Sequence, residues 1–252
     1  MRKNGRGDEE LRELKIYPNF LKFPEASVFL ELGDTKIICS ASIDDKVPPF
    51  LKGTGKGWIT AEYSMLPRAT EKRNIRESVQ GRLSGRTQEI QRMIGRSLRS
   101  VVELSLLQER TIIIDCDVIQ ADGGTRTASV TAASVTLAIL FQKMKNEGLV
   151  IESPMRALVA GISAGIVDDK LLLDLDFYED SRAEIDLNLV KTDKGDIAEL
   201  QVTGEGRPFK REELLSLISL AESGIEKILE IEKRVLKELE IDVGKVKKDM
   251  RH

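Results

Sequence analysis

The sequence predicts an α+β fold: a single domain of two similar halves, with mixed sheets packed against helices. Runs of strand length come first, a long helical pattern rich in small residues follows, and the same succession of strands and a long helix then repeats. No Pro/Ser/Gly-rich linker separates the halves, so residues 1–242 read as one domain and 243–252 as a polar C-terminal tail.

Taken in order, residues 14–20, 26–32 and 35–43 read as strands, the last pair joined by Gly33-Asp34, a short-hairpin signal. Gly53, Gly55 and Gly57 mark a mobile loop rather than a dinucleotide fingerprint, because no helix pattern follows them. After a strand over 58–65, a helix is expected from about 87 to 104. Ile90, Ile94, Leu98 and Val101 line its apolar face, and Arg92, Arg96 and Arg99 form an opposite stripe that is exposed or meets a partner. An apolar strand over 111–119 breaks at Asp122-Gly123-Gly124, and a helix from 125 to about 146 begins there. Ala128, Ser129, Ala132, Ala133 and Ser134 permit close approach and place that helix centrally. Strands over 156–167, 171–178, 184–191 and 197–203 precede a helix from 212 to about 239, which residues 245–252 extend or let fray.

The chain has 252 residues, 41% hydrophobic and 32% charged, enough for a substantial core. Its charge density, with a C-terminal stretch rich in Glu and Lys, fits a thermophile's surface. The net charge of -3 conceals an asymmetry: residues 68–99 carry nine basic side chains against three acids, so the remainder is clearly acidic. A basic segment inside an acidic protein points to a localised polyanion surface. Cys39 and Cys116 both lie in strand-like runs, which indicates neither a disulfide framework nor a cysteine zinc site. The charged N-terminus lacks an apolar signal core and no apolar run approaches the roughly 20 residues that span a bilayer, so a cytoplasmic protein without membrane contact is expected. The single histidine, His252, ends a polar tail. That removes the commonest general base and leaves chemistry to carboxylates, arginines, lysines or a metal.

The strand, tight turn and helix start around Asp122-Gly123-Gly124-Thr125-Arg126 form an anion site by construction: glycines let the backbone approach a ligand, and the first helical amides lack partners. Arg126 adds a planar, permanently charged fork. Gly85-Arg86-Thr87 opens another helical pattern, which suggests one phosphate held between two helix starts; two ordinary caps with solvated arginines are the alternative. A second constellation, Asp174, Asp176, Glu179, Asp180, Glu184 and Asp186, suits a hard divalent cation such as Mg²⁺, or is simply a charged hairpin.

Trp58-Ile59-Thr60-Ala61-Glu62-Tyr63, Met65-Leu66-Pro67-Arg68, Gly85-Arg86-Thr87-Gln88-Glu89-Ile90-Gln91-Arg92, Asp115-Cys116-Asp117-Val118 and Ala121 through Ser129 together closely resemble the bacterial RNase PH family, over residues 1 to about 239. The resemblance implies the RNase PH fold, of the ribosomal-protein-S5-like superfamily. It further implies a phosphate-dependent 3′ to 5′ exoribonuclease that trims tRNA precursors beyond CCA, releases nucleoside diphosphates and runs reversibly. Its substrates would include other RNA 3′ ends and could extend to ribosomal RNA precursors; DNA is not expected. A homohexamer, a trimer of dimers, is implied as well. Phosphate as co-substrate would be held by Arg86, Gly124, Thr125 and Arg126, and Mg²⁺ would sit near the catalytic pair Asp180 and Asp186. Asp186 is also the candidate proton donor to the leaving 3′ oxygen, while Asp174 and Asp176 are expected to serve local structure. Asn188 stands where the related polynucleotide phosphorylase has a lysine, a departure from direct three-ligand metal coordination.

Two other readings stay open. Ring relatives include non-catalytic RNA-binding subunits, which lose the phosphate arginines or the acidic pair; this chain keeps Arg86, Thr125, Arg126, Asp180 and Asp186. An enzyme acting with phosphate on a small nucleoside would have no use for the extended arginine segment. Arg68, Arg73 and Arg76 are accordingly assigned to RNA, and Arg92, Arg96 and Arg99 to RNA or a subunit interface.

Overall fold

The computed structural model describes Arg2 and residues 5–244. One sheet contains β1 (Leu14–Pro18), β2 (Ala26–Leu32), β3 (Thr35–Asp44), β4 (Trp58–Met65) and β5 (Thr111–Gln120), in the order β1-β2-β3-β5-β4. Between β4 and β5 the chain forms α1 (Glu77–Gln80) and α2 (Gly85–Ser100), and this crossover makes β4 parallel to β5 while the other neighbours are antiparallel. After α3 (Thr125–Asn146), a second, antiparallel sheet is built from β6 (Val159–Val167), β7 (Lys170–Leu173), β8 (Ile185–Thr192) and β9 (Ile197–Gly204), in the order β7-β6-β8-β9. The one-turn α4 (Phe177–Asp180) interrupts this half, and α5 (Arg211–Glu238) packs on β6 and β8 through Leu217, Ala221, Ile225 and Ile228.

The central position expected for α3 is observed. It touches β2 and β3 on one side and β6 on the other, and nearly every side chain from Thr125 to Phe141 is buried. Its hydroxyls are used internally. Ser129 and Thr136 donate to carbonyls one turn back, at 2.8 Å each. Thr131 and Ser134 accept from Gly161 N and Val159 N, at 3.2 and 3.1 Å. Because β7 pairs only with residues 164–167 of β6, those two amides lack a strand partner, and α3 takes the place of a ladder neighbour. The approach is close enough that a Cβ at Gly161 would lie 2.9 Å from the Thr127 carbonyl oxygen.

Several expectations are corrected. The helix expected to reach 104 ends at Ser100, because Val101 leaves helical geometry and Val102 bridges to Met155. The strand expected over 171–178 stops at Leu173; Asp174 adopts φ 54°, and the chain turns into α4. The strand expected from 156 begins at Val159, and the short α1 was not foreseen. Arg99 does not belong to the exposed stripe. Its guanidinium stacks 4.3 Å over the Trp58 ring, donates to Ile59 O at 2.7 Å and occupies the space beside Gly95. Arg92 stays exposed, and Arg96 pairs with Glu199 at 2.7 Å. Gly57 is not loose: its N–H donates to Leu104 O at 2.9 Å.

Cys39 and Cys116 face each other across β3 and β5 as free thiols, with sulfurs 3.7 Å apart. Among the described residues no helix is long and apolar enough to cross a membrane. Residues 245–252, including His252 and most of the expected tail, lie outside the described residues.

Candidate active site

A cleft of about 1400 Å³ opens where β4, β5, α4, β8 and the N-termini of α2 and α3 converge, and Arg86, Gly124, Thr125, Arg126, Asp180 and Asp186 all line it. Its floor is the start of α3. Gly123 and Gly124 take φ 76° and 66°, which L side chains rarely adopt, and a Cβ on Gly123 would come within 2.6 Å of the Asp176 backbone. No side chain caps this helix, so its first-turn amides are left for a ligand. The Tyr63 hydroxyl donates to Thr125 Oγ1 at 2.9 Å, and burial pushes the phenol above its ordinary value, so it remains a donor.

The start of α2 differs. Ser84 Oγ accepts from Thr87 N at 3.1 Å, and the Thr87 hydroxyl donates to Glu77 at 2.7 Å. One first-turn amide is thus already satisfied. The two helix starts are therefore not equivalent: α3 offers uncapped amides, and α2 offers the exposed guanidinium of Arg86. Both Arg86 and Arg126 act electrostatically on Asp180 and on Tyr63, so the two cations share one field.

The acidic side is held by a short, heavily fastened segment. Asp176 accepts from Glu179 N at 2.9 Å while Glu179 Oε2 accepts from Asp176 N at 3.0 Å, a capping box that fixes α4 and hence Asp180 at its end. Arg2 grips the other face of Glu179 through Nε and Nη2, at 2.6 and 2.5 Å. Asp174 is wholly buried and receives Arg12 Nη2 at 2.7 Å and Arg6 Nη1 at 3.1 Å. Asp174 and Asp176 therefore bind the chain itself.

Arg12 also donates to the Asp122 and Gly123 carbonyl oxygens, which fastens the glycine turn of the first half to the acidic segment of the second. Sequence reasoning missed Arg2, Arg6 and Arg12, which lie in no periodic element, and Tyr63, whose place in β4 reads as an ordinary core position.

Asp186 projects from β8 next to Asp180. Asn188 Nδ2 donates to its Oδ2 at 3.0 Å, whereas its buried Oδ1 has no hydrogen-bond partner among the described residues. Burial first, then repulsion from Asp180, push the Asp186 carboxyl up to about 6 against the pull of Arg126. Asp180, exposed at its outer edge, is also raised by partial burial of its carboxyl, with Arg126 and Arg86 opposing. Among the described residues no group of three or more Asp, Glu, His or Cys is placed to hold a metal ion.

Of the arginines assigned to RNA, Arg76 lines the cleft, joined there by Arg82; Arg68 and Arg73 are exposed on the same connecting segment but outside the lining.

Two family models match: 3′ exoribonuclease family domain 1 over residues 10–141 and domain 2 over residues 157–224. The chain belongs to the RNase PH family. It is 56% identical over 244 residues to Ribonuclease PH of Moorella thermoacetica, covering 97% of this chain and 98% of that protein. It is 54% identical to Ribonuclease PH of Bacillus mycoides, covering 94% and 97%. Among solved structures, an Archaeoglobus fulgidus exosome chain from a complex with RNA bound to the active site aligns with TM-score 0.78 at 23% identity, over 91% of each chain. Rice Rrp46 aligns with TM-score 0.75 at 18% identity, over 93% of this chain and all of that one; at such identities these two share the fold. Membership of the RNase PH family makes this chain a 3′ exoribonuclease with phosphate as co-substrate, and the inert-scaffold reading is not favoured.

The raised Asp186 carboxyl has a consequence for stability. A carboxylate whose folded value exceeds its unfolded value of 3.8 destabilises the fold above about pH 6, and that penalty fades as pH falls toward 4. Asp186→Asn should therefore raise the unfolding free energy by about 1–3 kcal/mol near pH 7.5 in chelator, with the gain vanishing near pH 4. Urea unfolding at the two pH values checks this; a variant less stable than the parent near pH 7.5 contradicts it.

Proposed function

We propose that this phosphate-dependent 3′ exoribonuclease holds inorganic phosphate between Arg86, Arg126 and the backbone at Gly124 and Thr125, and directs it at the last phosphodiester of an RNA 3′ end. The observation that carries the reading is the uncapped N-terminus of α3 opening, with two guanidinium groups, into the same cleft as Asp180 and Asp186. Phosphorolysis brings two anions together, and fixed donors in a partly dry cleft offset that repulsion without reorganising. Arg126 supplies a planar fork, Arg86 a second charge from the facing helix, and Thr125 a hydroxyl already oriented by Tyr63. Exchange of a phosphodiester for a phosphoanhydride is close to balanced, so addition of nucleotides from diphosphates is the reverse of the same step.

Asp180 and Asp186 fit a divalent cation such as Mg²⁺: the two carboxylates repel each other, and the orphaned Asp186 Oδ1 is a buried acceptor in need of a partner. Bound there, the cation would supply charge neutralisation at the reacting phosphorus and the leaving oxygen. Holding a cation and delivering a proton to the 3′ oxygen are competing uses of Asp186, because either one relieves the repulsion from Asp180.

Arg76 and Arg82 at the rim, with Arg68 and Arg73 beyond it, supply the electrostatic path for the RNA strand. We propose tRNA precursors as the main substrate, with ribosomal RNA precursors secondary, in the cytoplasm. Residues 1–242 act as one unit, and the chain assembles as a homohexamer, a trimer of dimers.

Arg86→Ala and Arg126→Ala each remove a charge-assisted bond to phosphate, so each should raise the half-saturating phosphate concentration by roughly 10-fold or more. Asp180→Asn should lower turnover by roughly 100-fold with RNA affinity nearly intact. Steady-state kinetics on a 3′-extended RNA reads both effects, and unchanged phosphate dependence in both arginine variants overturns the assignment. Assembly is checked by sedimentation at micromolar concentration: a hexamer gives about six times the 28.1 kDa chain mass, and a fully active monomer rejects the ring.

A further inference from the structure

Arg126 does not stand alone in the cleft. Its Nη1 donates to Gln201 Oε1 at 3.2 Å, and Gln201 Nε2 donates in turn to Glu89 Oε1 at 2.9 Å. The three residues come from α3, β9 and α2. A carboxylate only accepts and a guanidinium only donates, so one orientation of the Gln201 amide serves both neighbours: nitrogen to Glu89, oxygen to Arg126. Glu89 stands three residues after Arg86 on α2, and Gln201 is the cross-strand partner of Asn188, which holds Asp186. The amide is half-buried, and its hydrogen bonds among the described residues go to Arg126 and Glu89 rather than to Asp180 or Asp186.

We propose that Gln201, oriented by Glu89, is a positioning residue that aims the Arg126 fork at phosphate. The inference rests on the reading that Arg126 binds phosphate. Arginine has five donors on a long, flexible stem, and fixing one of them restricts the plane in which the others lie. A neutral amide does this while leaving the cation's charge available. A carboxylate at the same place would pair with Arg126, compete with phosphate for its donors, and face Glu89 with like charge.

The test measures half-saturating phosphate and half-saturating RNA separately, near neutral pH, for Gln201→Leu, Gln201→Glu and Arg126→Ala, and for Gln201→Leu combined with Arg126→Ala. Because Gln201 acts on phosphate only through Arg126, Gln201→Leu should raise half-saturating phosphate by roughly 3- to 10-fold, the range of one ordinary hydrogen bond, with half-saturating RNA changed less than about twofold. Gln201→Glu should raise it further despite its closer size and polarity. In the Arg126→Ala background Gln201→Leu should add less than about twofold, because its effect passes through Arg126.

If Arg126→Ala raises half-saturating phosphate while both Gln201 variants leave it unchanged, the positioning role is wrong and the phosphate reading stands. A full additive effect of Gln201→Leu without Arg126 also overturns the role. If Arg126→Ala itself changes nothing, the phosphate reading fails and the inference falls with it. Should Gln201→Leu not fold, Gln201→Glu alone and combined with Arg126→Ala provides the same comparison.

Discussion

The burial of α3 between the two sheets is the constraint on which the rest of the structure depends. A helix covered on all sides has no polar face to give to water, so its sequence is small and apolar, and its hydroxyls are spent on carbonyls one turn back or on β6. Its start is where its backbone amides open into the cleft. There Gly123 and Gly124 bring the chain in from β5 through two left-handed residues and leave the first amides uncapped. An anion at such a terminus gains about 0.3–1 kcal/mol from the helix dipole alone, and as much as about 2 kcal/mol where partly buried. That gain is modest, and the guanidinium groups of Arg86 and Arg126 add two permanent positive charges to the same cleft.

The acidic pair belongs to the other half of the molecule, so its distance from the glycine turn must be fixed by something other than chain continuity. Arg12 does this. Its guanidinium lies between the Asp174 carboxylate and the carbonyl oxygens of Asp122 and Gly123, and its own backbone N–H donates to Asp174 at 2.8 Å. Asp174, fully buried, is paired with the guanidinium groups of Arg12 and Arg6. Arg2 on Glu179 fastens α4 in the same way. The N-terminal arginines thus work as a clamp across the two halves, and Gln201 accepts a hydrogen bond from Arg126.

The long elements were legible from the sequence because their periods are set by the faces they bury: the alternation of β2 and β3, the stripe of α2, and the small residues of α3. The glycine turn before α3 was legible because glycines followed by a helix start favour that geometry. The acidic cluster was legible as a cluster. The contacts that Asp174, Asp176 and Glu179 make with Arg6, Arg12, Arg2 and each other come from residues up to 177 positions away, and no local pattern encodes them. Arg99 shows the same limit: periodicity put it opposite the apolar face, and the Trp58 ring of a neighbouring strand turned that position into a packed one. Tyr63 and Gln201 went unnoticed because a strand residue reveals its face but not the side chain it meets.

The central claim is that phosphate, held at the start of α3, is the nucleophile. Incubation of the purified protein with a short 3′-extended RNA, Mg²⁺ and isotopically labelled phosphate tests it most directly, by the identity of the released nucleotide. The account predicts labelled nucleoside diphosphates and no shortening of the RNA when phosphate is left out. Release of nucleoside monophosphates at the same rate in phosphate-free buffer would contradict it, because water would then be the attacking group.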